Sequence, residues 1–151
     1  MKQSLLFLTF LVLPFYINAQ IVVVEKKNKI ELVGGIQPIK RHKVELTRFE
    51  KTYCLNYIDT KHKSNYEYKS FCFDDLEGSF DDFYGTILNG FDELPEDPVK
   101  ISFPNCNVEF KFSSSLGTSY VEFFHYFNGN VGTSVQISRG KWEKLFGMDR
   151  I

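Results

Sequence analysis

Thr52–Phe73 reads TYCLNYIDTKHKSNYEYKSFCF, and the architecture follows from it. Tyr53, Leu55 and Tyr57 alternate with Cys54, Asn56 and Ile58, the two-residue period of a strand with two distinct faces. After the polar run Thr60–Asn65, Tyr66, Tyr68 and Cys72 alternate against Phe71 and Phe73. The pattern predicts strands over 52–59 and 66–73, joined as an antiparallel hairpin. Aromatic residues fall on both faces, so the hairpin is expected to be central or covered on both sides. With Thr60 facing Tyr66, Cys54 falls opposite Cys72, at about 4.5–5.5 Å between Cα atoms and within disulfide reach. A slip of one residue would part them, and a pair of small buried thiols is the competing reading. Cys106, in the turn-like Phe103-Pro104-Asn105-Cys106-Asn107, would stay unpaired.

Downstream of the hairpin lies the best helix signal, Phe80–Gly90. Phe80, Phe83, Tyr84, Ile87, Leu88 and Phe91 share one stripe at helical spacing. Ser79 is placed as N-cap, with Asp82 completing an approximate capping box. Asp81 and Asp82 favour the positive end of the helix dipole. Gly90 is expected to end the helix, and Pro95 and Pro98 to prevent its resumption. Gly85 lies outside the stripe and costs about 1 kcal/mol relative to alanine.

Strands resume at Val99–Phe103 and Val108–Phe112, with Pro104–Asn107 as the turn between them. Ser113-Ser114-Ser115 beside Leu116-Gly117 reads as a flexible turn. Tyr120–Phe127 is a long aromatic strand, and Asn128-Gly129-Asn130 turns it into Val131–Ile137. Ser138 is placed to cap a short helix presenting Trp142, Leu145 and Phe146. Gly147 would end that helix in a left-handed conformation, letting Met148 fold back towards Trp142.

Upstream, Val44, Leu46 and Arg48 alternate into Phe49 as a strand. Pro38 and the basic Lys40-Arg41-His42-Lys43 suggest an exposed connection. Lys29–Val33 reads as a strand that stops at Gly34-Gly35, and Ile21–Val24 is a short β-branched run. Tight turns favour antiparallel pairing. The expected class is α+β, a mainly antiparallel sheet of roughly six to eight strands with one middle helix and one short C-terminal helix.

Met1–Ala19 predicts a secretory signal peptide. Lys2 supplies a positive start, and Leu5–Ile17 is apolar but for Thr9, Pro14 and Tyr16. That run is about 13 residues, against the ~20 of a membrane-spanning helix. Ile17-Asn18-Ala19 offers a small residue for cleavage ahead of Gln20, although Ile17 is bulky for its place. An uncleaved anchor is the competing reading. The remainder, 20–151, is the size of one domain, exported to the periplasm or beyond, with no stable membrane span after cleavage.

Lys and Arg total 18 against 19 Asp and Glu, a net charge of −1, far from the basic excess of a nucleic-acid binder. The charge is nonetheless uneven: net +5 over 20–70, −9 over 71–110 and +2 over 111–151. Segments of opposite sign either pack together or steer a charged partner. Lys61–Lys69 interleaves basic and aromatic residues, which single-strand nucleic-acid binding uses, but an ordinary solvated hairpin loop accounts for it.

Chemistry has no local signature. Asp74, Asp75, Glu77, Asp81 and Asp82 form an acidic cluster, yet their spacing does not match a twelve-residue calcium loop. His42, His62 and His125 form no paired metal motif. His125 sits among Phe123, Phe124, Tyr126 and Phe127, and if it faces inward it requires a hydrogen-bond partner. A Cys106–His125 thiol–imidazole pair or a Cys–His zinc site would each be assembled only by the fold. No catalytic, cofactor-binding or metal-binding residue is assigned. The leading expectation is a small exported non-catalytic domain that binds another protein or an extracytoplasmic ligand. An inhibitor or immunity-type protein is one specific form of it, with the acidic 74–97 segment as contact for a basic partner. The alternatives are an exported hydrolase whose site converges only in the fold, and a structural or self-associating envelope protein.

Overall fold

The central hairpin forms in the register its pattern predicts. In the computed structural model, residues 29–39, 42–61 and 67–148 are described. The leader Met1–Ala19, the Ile21–Val24 run, His62 and Tyr66 lie outside the described residues. Strands β3 (Thr52–Ile58) and β4 (Tyr68–Asp74) pair antiparallel with Leu55 opposite Phe71 and Cys54 opposite Cys72. The two cysteines form a disulfide, their Cα atoms 4.1 Å apart.

One expectation fails on this hairpin. It is not covered on both sides, because Tyr53, Leu55, Tyr57, Phe71 and Phe73 are buried while Tyr68, Ser70 and Cys72 are exposed. The disulfide therefore sits on the outer face, away from the core. The physical reason is that the second sheet and both helices pack against one face only.

β3 and β4 close a four-stranded sheet, order β1-β2-β3-β4, with β1 spanning Glu31–Ile39 and β2 His42–Phe49. Gly34-Gly35 does not stop β1; the strand runs through it with a slip in register between Leu32 and Gly34. A Cβ on Gly34 would come within 2.4 Å of the Lys144 and Leu145 carbonyl oxygens. The glycine admits a helix backbone rather than making a turn.

The second sheet runs β5-β6-β7-β8, from β5 (Val99–Phe103) and β6 (Cys106–Ser115) to β7 (Thr118–Phe127) and β8 (Asn130–Thr133). A short β9 (Ile137–Ser138) also pairs with β7. Among the described residues nine strands form two sheets where one sheet of roughly six to eight was expected, and the class is α+β as expected. Pro104-Asn105 alone makes the turn into β6, and Ser113–Ser115 belong to that strand. The expected strand Val131–Ile137 breaks at Ser134, whose hydroxyl accepts the Phe123 N–H at 2.9 Å while its own N–H donates to the Phe123 carbonyl at 3.0 Å. One residue thereby meets both backbone groups of Phe123, and the chain steps off the ladder.

Helix α1 (Ser79–Glu93) and helix α2 (Arg139–Leu145) plug one end of the space between the sheets. Phe83 touches Phe73, Phe103, Phe110, Trp142 and Phe146 there. The α1 stripe is as predicted, but its ends are not. Ser79 is not the cap: its hydroxyl donates to the Asp74 carbonyl, and Asp75 instead accepts the Phe80 N–H at 3.1 Å. Gly90 lies inside the helix, where a Cβ would fall 2.2 Å from the Phe112 ring. The helix ends at Leu94, whose φ is 47° and whose N–H donates to the Gly90 carbonyl. Ser138 stands at the N-cap of α2 without a side-chain cap bond. Gly147 closes α2 with φ 71°, and the N–H groups of Gly147 and Met148 donate to the Lys144 and Glu143 carbonyls. The Met148 side chain is exposed rather than folded onto Trp142.

Candidate functional site

Two features stand out from the packed interior, one polar and closed, the other apolar and open. The polar one gathers residues from four strands. β7 carries His125 into the core, 3% exposed, with Nδ1 3.0 Å from the Tyr57 hydroxyl. Phe127 and Phe71 pack on the imidazole at 4.5 and 5.4 Å between ring centres. Burial, seconded by the Lys69 ammonium, pushes its pKa down from 6.5 to about 4. Burial also drives Tyr57 far above the usual phenol range, so a neutral ring and an un-ionised phenol share the bond. Gly132 opposes His125 in β8, where a Cβ would come 2.1 Å from the Tyr57 hydroxyl.

Beside this pair lies a buried ion pair. Asp59, 1% exposed, holds the Lys69 ammonium at 2.5 Å on one carboxylate oxygen. Its other oxygen accepts the N–H groups of Lys61 and Thr133 at 3.0 and 3.1 Å. Burial works to raise its pKa, but the Lys69 ammonium and these two N–H groups together hold the carboxyl below the ordinary value. The Thr60 N–H and hydroxyl both donate to the Thr133 carbonyl, at 2.9 and 3.2 Å. The end of β3 is thereby fastened to β8, one sheet to the other. Asp59 and Lys69 carry no motif in the sequence. Gly132 inside a strand was the available signal that something approaches closely there.

Cys106 and His125 line one cavity of ≈ 270 Å³ with Asn105, Phe127 and Asn128. The arrangement works against nucleophilic chemistry. Burial pushes the thiol up and the imidazole down, so both move away from the thiolate–imidazolium state that an activated cysteine uses.

The acidic cluster divides among separate tasks. Asp74 accepts the Thr52 hydroxyl at 2.6 Å, and Asp75 starts α1. Glu77 is exposed in the turn before α1, and Asp81 and Asp82 are exposed on the first turn of the helix. Among the described residues no three His, Cys, Asp or Glu side chains converge to hold a metal ion. His42 lies in β2. Of the later carboxylates, Asp92 pairs with Arg139, whereas Glu93, Glu96 and Asp97 are exposed.

The open feature is a groove of ≈ 550 Å³ between the first half of α1 and the edges of β4 and β5. Phe73, Phe83, Val99, Ile101 and Phe103 form its walls, and Leu76, 66% exposed, stands at its mouth. Asp74 and Asp82 supply carboxylates to the rim; the one cation there among the described residues, Lys100, is paired with Glu109 at 2.9 Å. Among the described residues β5 is an edge strand, hydrogen-bonded to β6 on one side only. Its inward residues Val99, Ile101 and Phe103 are only half-buried. Pro98 and Pro104 bracket it, limiting the free edge to five residues. Among the described residues no helix is long and apolar enough to cross a membrane. Compared with protein families, with curated proteins and with solved structures, the chain matches none.

Proposed function

We propose that this chain is an exported, non-catalytic binding domain that takes an extended, basic segment of a protein partner along β5. The observation that carries the reading is the open edge of β5 over an apolar groove with a carboxylate rim. An edge strand offers unpaired N–H and C=O groups to a peptide, and alternate pockets select its side chains. Val99, Ile101 and Phe103 leave apolar surface for such side chains to cover. Asp74 and Asp82 favour lysine or arginine at the segment's ends, in line with the strongly negative 71–110 region. The opposed pKa shifts of Cys106 and His125 weigh against the hydrolase alternative. An inhibitor or immunity-type protein remains the specific form this reading favours.

Selection of peptides of about ten residues from a display library tests the binding mode. Enrichment of alternating apolar sequences flanked by Lys or Arg is expected. Their affinity should fall at least about tenfold when Asp74→Asn and Asp82→Asn are combined. Absence of enrichment, or peptides that bind this double variant equally well, would overturn the reading. Export is tested by N-terminal sequencing of the protein from its source cells, which should begin at Gln20. An intact Met1 on protein retained inside the cell would overturn that part.

A further inference from the structure

On the outer face of the second sheet one row crosses four strands: Ser102 pairs with Asn107, Asn107 with Tyr126, and Tyr126 with Val131. Tyr126 is 38% exposed, yet its ring is anchored at the far end. Its hydroxyl donates to one Glu109 carboxylate oxygen at 3.1 Å, while the other oxygen holds the Lys100 ammonium at 2.9 Å. Asn107 and Tyr126 line two cavities at once, of ≈ 490 and ≈ 380 Å³, so the two join along this pair. Each is within the about 300–1,000 Å³ usual for ligand sites. The larger is lined by Asn105, Asn107, Asn128 and Asn130 and, among the described residues, by no charged side chain. In the smaller the charges are Lys100 and Glu109, which neutralise each other. Turn chemistry accounts for part of this asparagine cluster. Asn128 takes the positive φ of the turn after β7, and the Asn130 amide donates to the Asn128 carbonyl at 3.3 Å. It does not account for Asn107, which lies within β6, a poor place for asparagine. Among the described residues its exposed side-chain amide, like that of Asn105, makes no hydrogen bond within the protein.

We propose that this cleft binds a neutral oligosaccharide, with Tyr126 as the stacking platform and Asn105 and Asn107 as hydrogen-bonding groups. A sugar ring has an apolar C–H face and a rim of hydroxyls, each both donor and acceptor. An aromatic ring covers the first. A primary amide answers the second, with two N–H donors and a carbonyl acceptor. Because Glu109 already fixes the Tyr126 hydroxyl, little side-chain freedom is left to lose on binding. No unpaired charge lines the cleft among the described residues, so a phosphate, a uronate or a charged peptide finds no counter-ion there. The backbone offers a peptide nothing either. β6 and β7 are each paired on both sides, so no strand can be added to them. Cavities that meet along Asn107 and Tyr126 leave room for at least two linked sugar units. The cleft is distinct from the groove beneath α1, whose Asp74 and Asp82 take no part in it.

Affinity electrophoresis of the purified protein in native gels containing β-glucan, arabinoxylan, galactomannan or dextran tests the proposal, with polygalacturonate as the anionic counterpart. At least one neutral polysaccharide should retard the wild-type protein. Calorimetry with oligosaccharides of that polymer should then give an affinity that falls at least about tenfold in Tyr126→Ala and in Asn107→Ala. Tyr126→Phe, which keeps the ring and releases Glu109, should lose less. An unchanged urea midpoint for Asn107→Ala, at an exposed position, would assign its loss to binding rather than folding. The combined Asp74→Asn and Asp82→Asn variant should bind the sugar like wild type. Wild-type protein that runs unretarded through every neutral gel would overturn the proposal. Retention by polygalacturonate alone would overturn it too, as would wild-type affinity in both Tyr126→Ala and Asn107→Ala. Loss of sugar binding in the Asp74 and Asp82 double variant would move the sugar to the groove and overturn it. Display peptides lost by Asn107→Ala but kept by that double variant would give the cleft to a protein partner instead, and overturn it as well.

Discussion

Among the described residues the second sheet ends on one side at β8, tied to the first sheet through Asp59 and Thr133, and on the other at β5, which only β6 pairs. At β8 every polar atom of the buried Asp59 carboxylate meets a donor, and the Thr133 N–H and carbonyl are both bonded across to the first sheet. At β5 the inward side chains are apolar and half-covered, and the edge is open. Burying polar groups costs several kcal/mol unless their bonds are met, so a knot whose carboxylate is fully bonded belongs to permanent structure, even though the buried Thr133 hydroxyl meets no partner among the described residues. An apolar wall left half in water suits a surface that finishes its burial on contact.

The contrast predicts very unequal sensitivity. Asp59→Ala leaves the buried Lys69 ammonium only the Glu67 carboxylate, 3.8 Å away, and frees the Thr133 N–H, and should cost about 3 kcal/mol by urea denaturation. An unchanged midpoint would mean that the β8 edge is not held by this pair.

Acid should act next, and on the same tied edge. Between pH 6.5 and about 4 the unfolded chain binds a proton at His125 that the folded chain does not. Stability therefore falls as pH drops through that window, by on the order of 3 kcal/mol. Asp59, whose folded pKa is lowered, adds a further loss as pH falls through its folded value. His125→Gln should flatten the slope between pH 6.5 and 4, and urea midpoints at a series of pH values would show it.

At the open edge the effects shrink. Gly85 lies on α1 with nothing within 4 Å of an added Cβ, so Gly85→Ala should raise stability by up to about 1 kcal/mol. Asp82→Asn, on the groove rim, should change stability by less than about 0.5 kcal/mol while altering what the groove binds. A large loss of stability from Asp82→Asn would make the rim structural and erase the distinction between the two edges.

Much of this framework was legible in the sequence wherever periodicity and burial agree. The β3–β4 register, and with it the opposition of Cys54 and Cys72, follows from two-residue alternation across one hairpin. The α1 stripe follows from helical spacing for the same reason. Termini were harder, because Ser79 and Gly90 each have a second use. The Ser79 hydroxyl is taken by the chain before the helix, and Gly90 makes room for Phe112. The polar knot was not legible, since it joins positions 57, 59, 69, 125 and 133 that nothing local connects. The inward-facing His125 did find a partner in Tyr57, but only the fold could name it. The split of the expected Val131–Ile137 strand into β8 and β9 depends on Ser134 leaving the ladder, a side-chain event with no periodic trace.

The Cys54–Cys72 bridge has a consequence of its own, because it faces outward and holds no part of the interior together. Cys72 stands open to small thiols, so the bond is free to be cut and remade while the native packing stays intact. Its redox state is thus a record of the last compartment the folded chain occupied. Denatured without reductant, a chain matured among oxidants should show one free thiol, Cys106, and one kept among glutathione should show three.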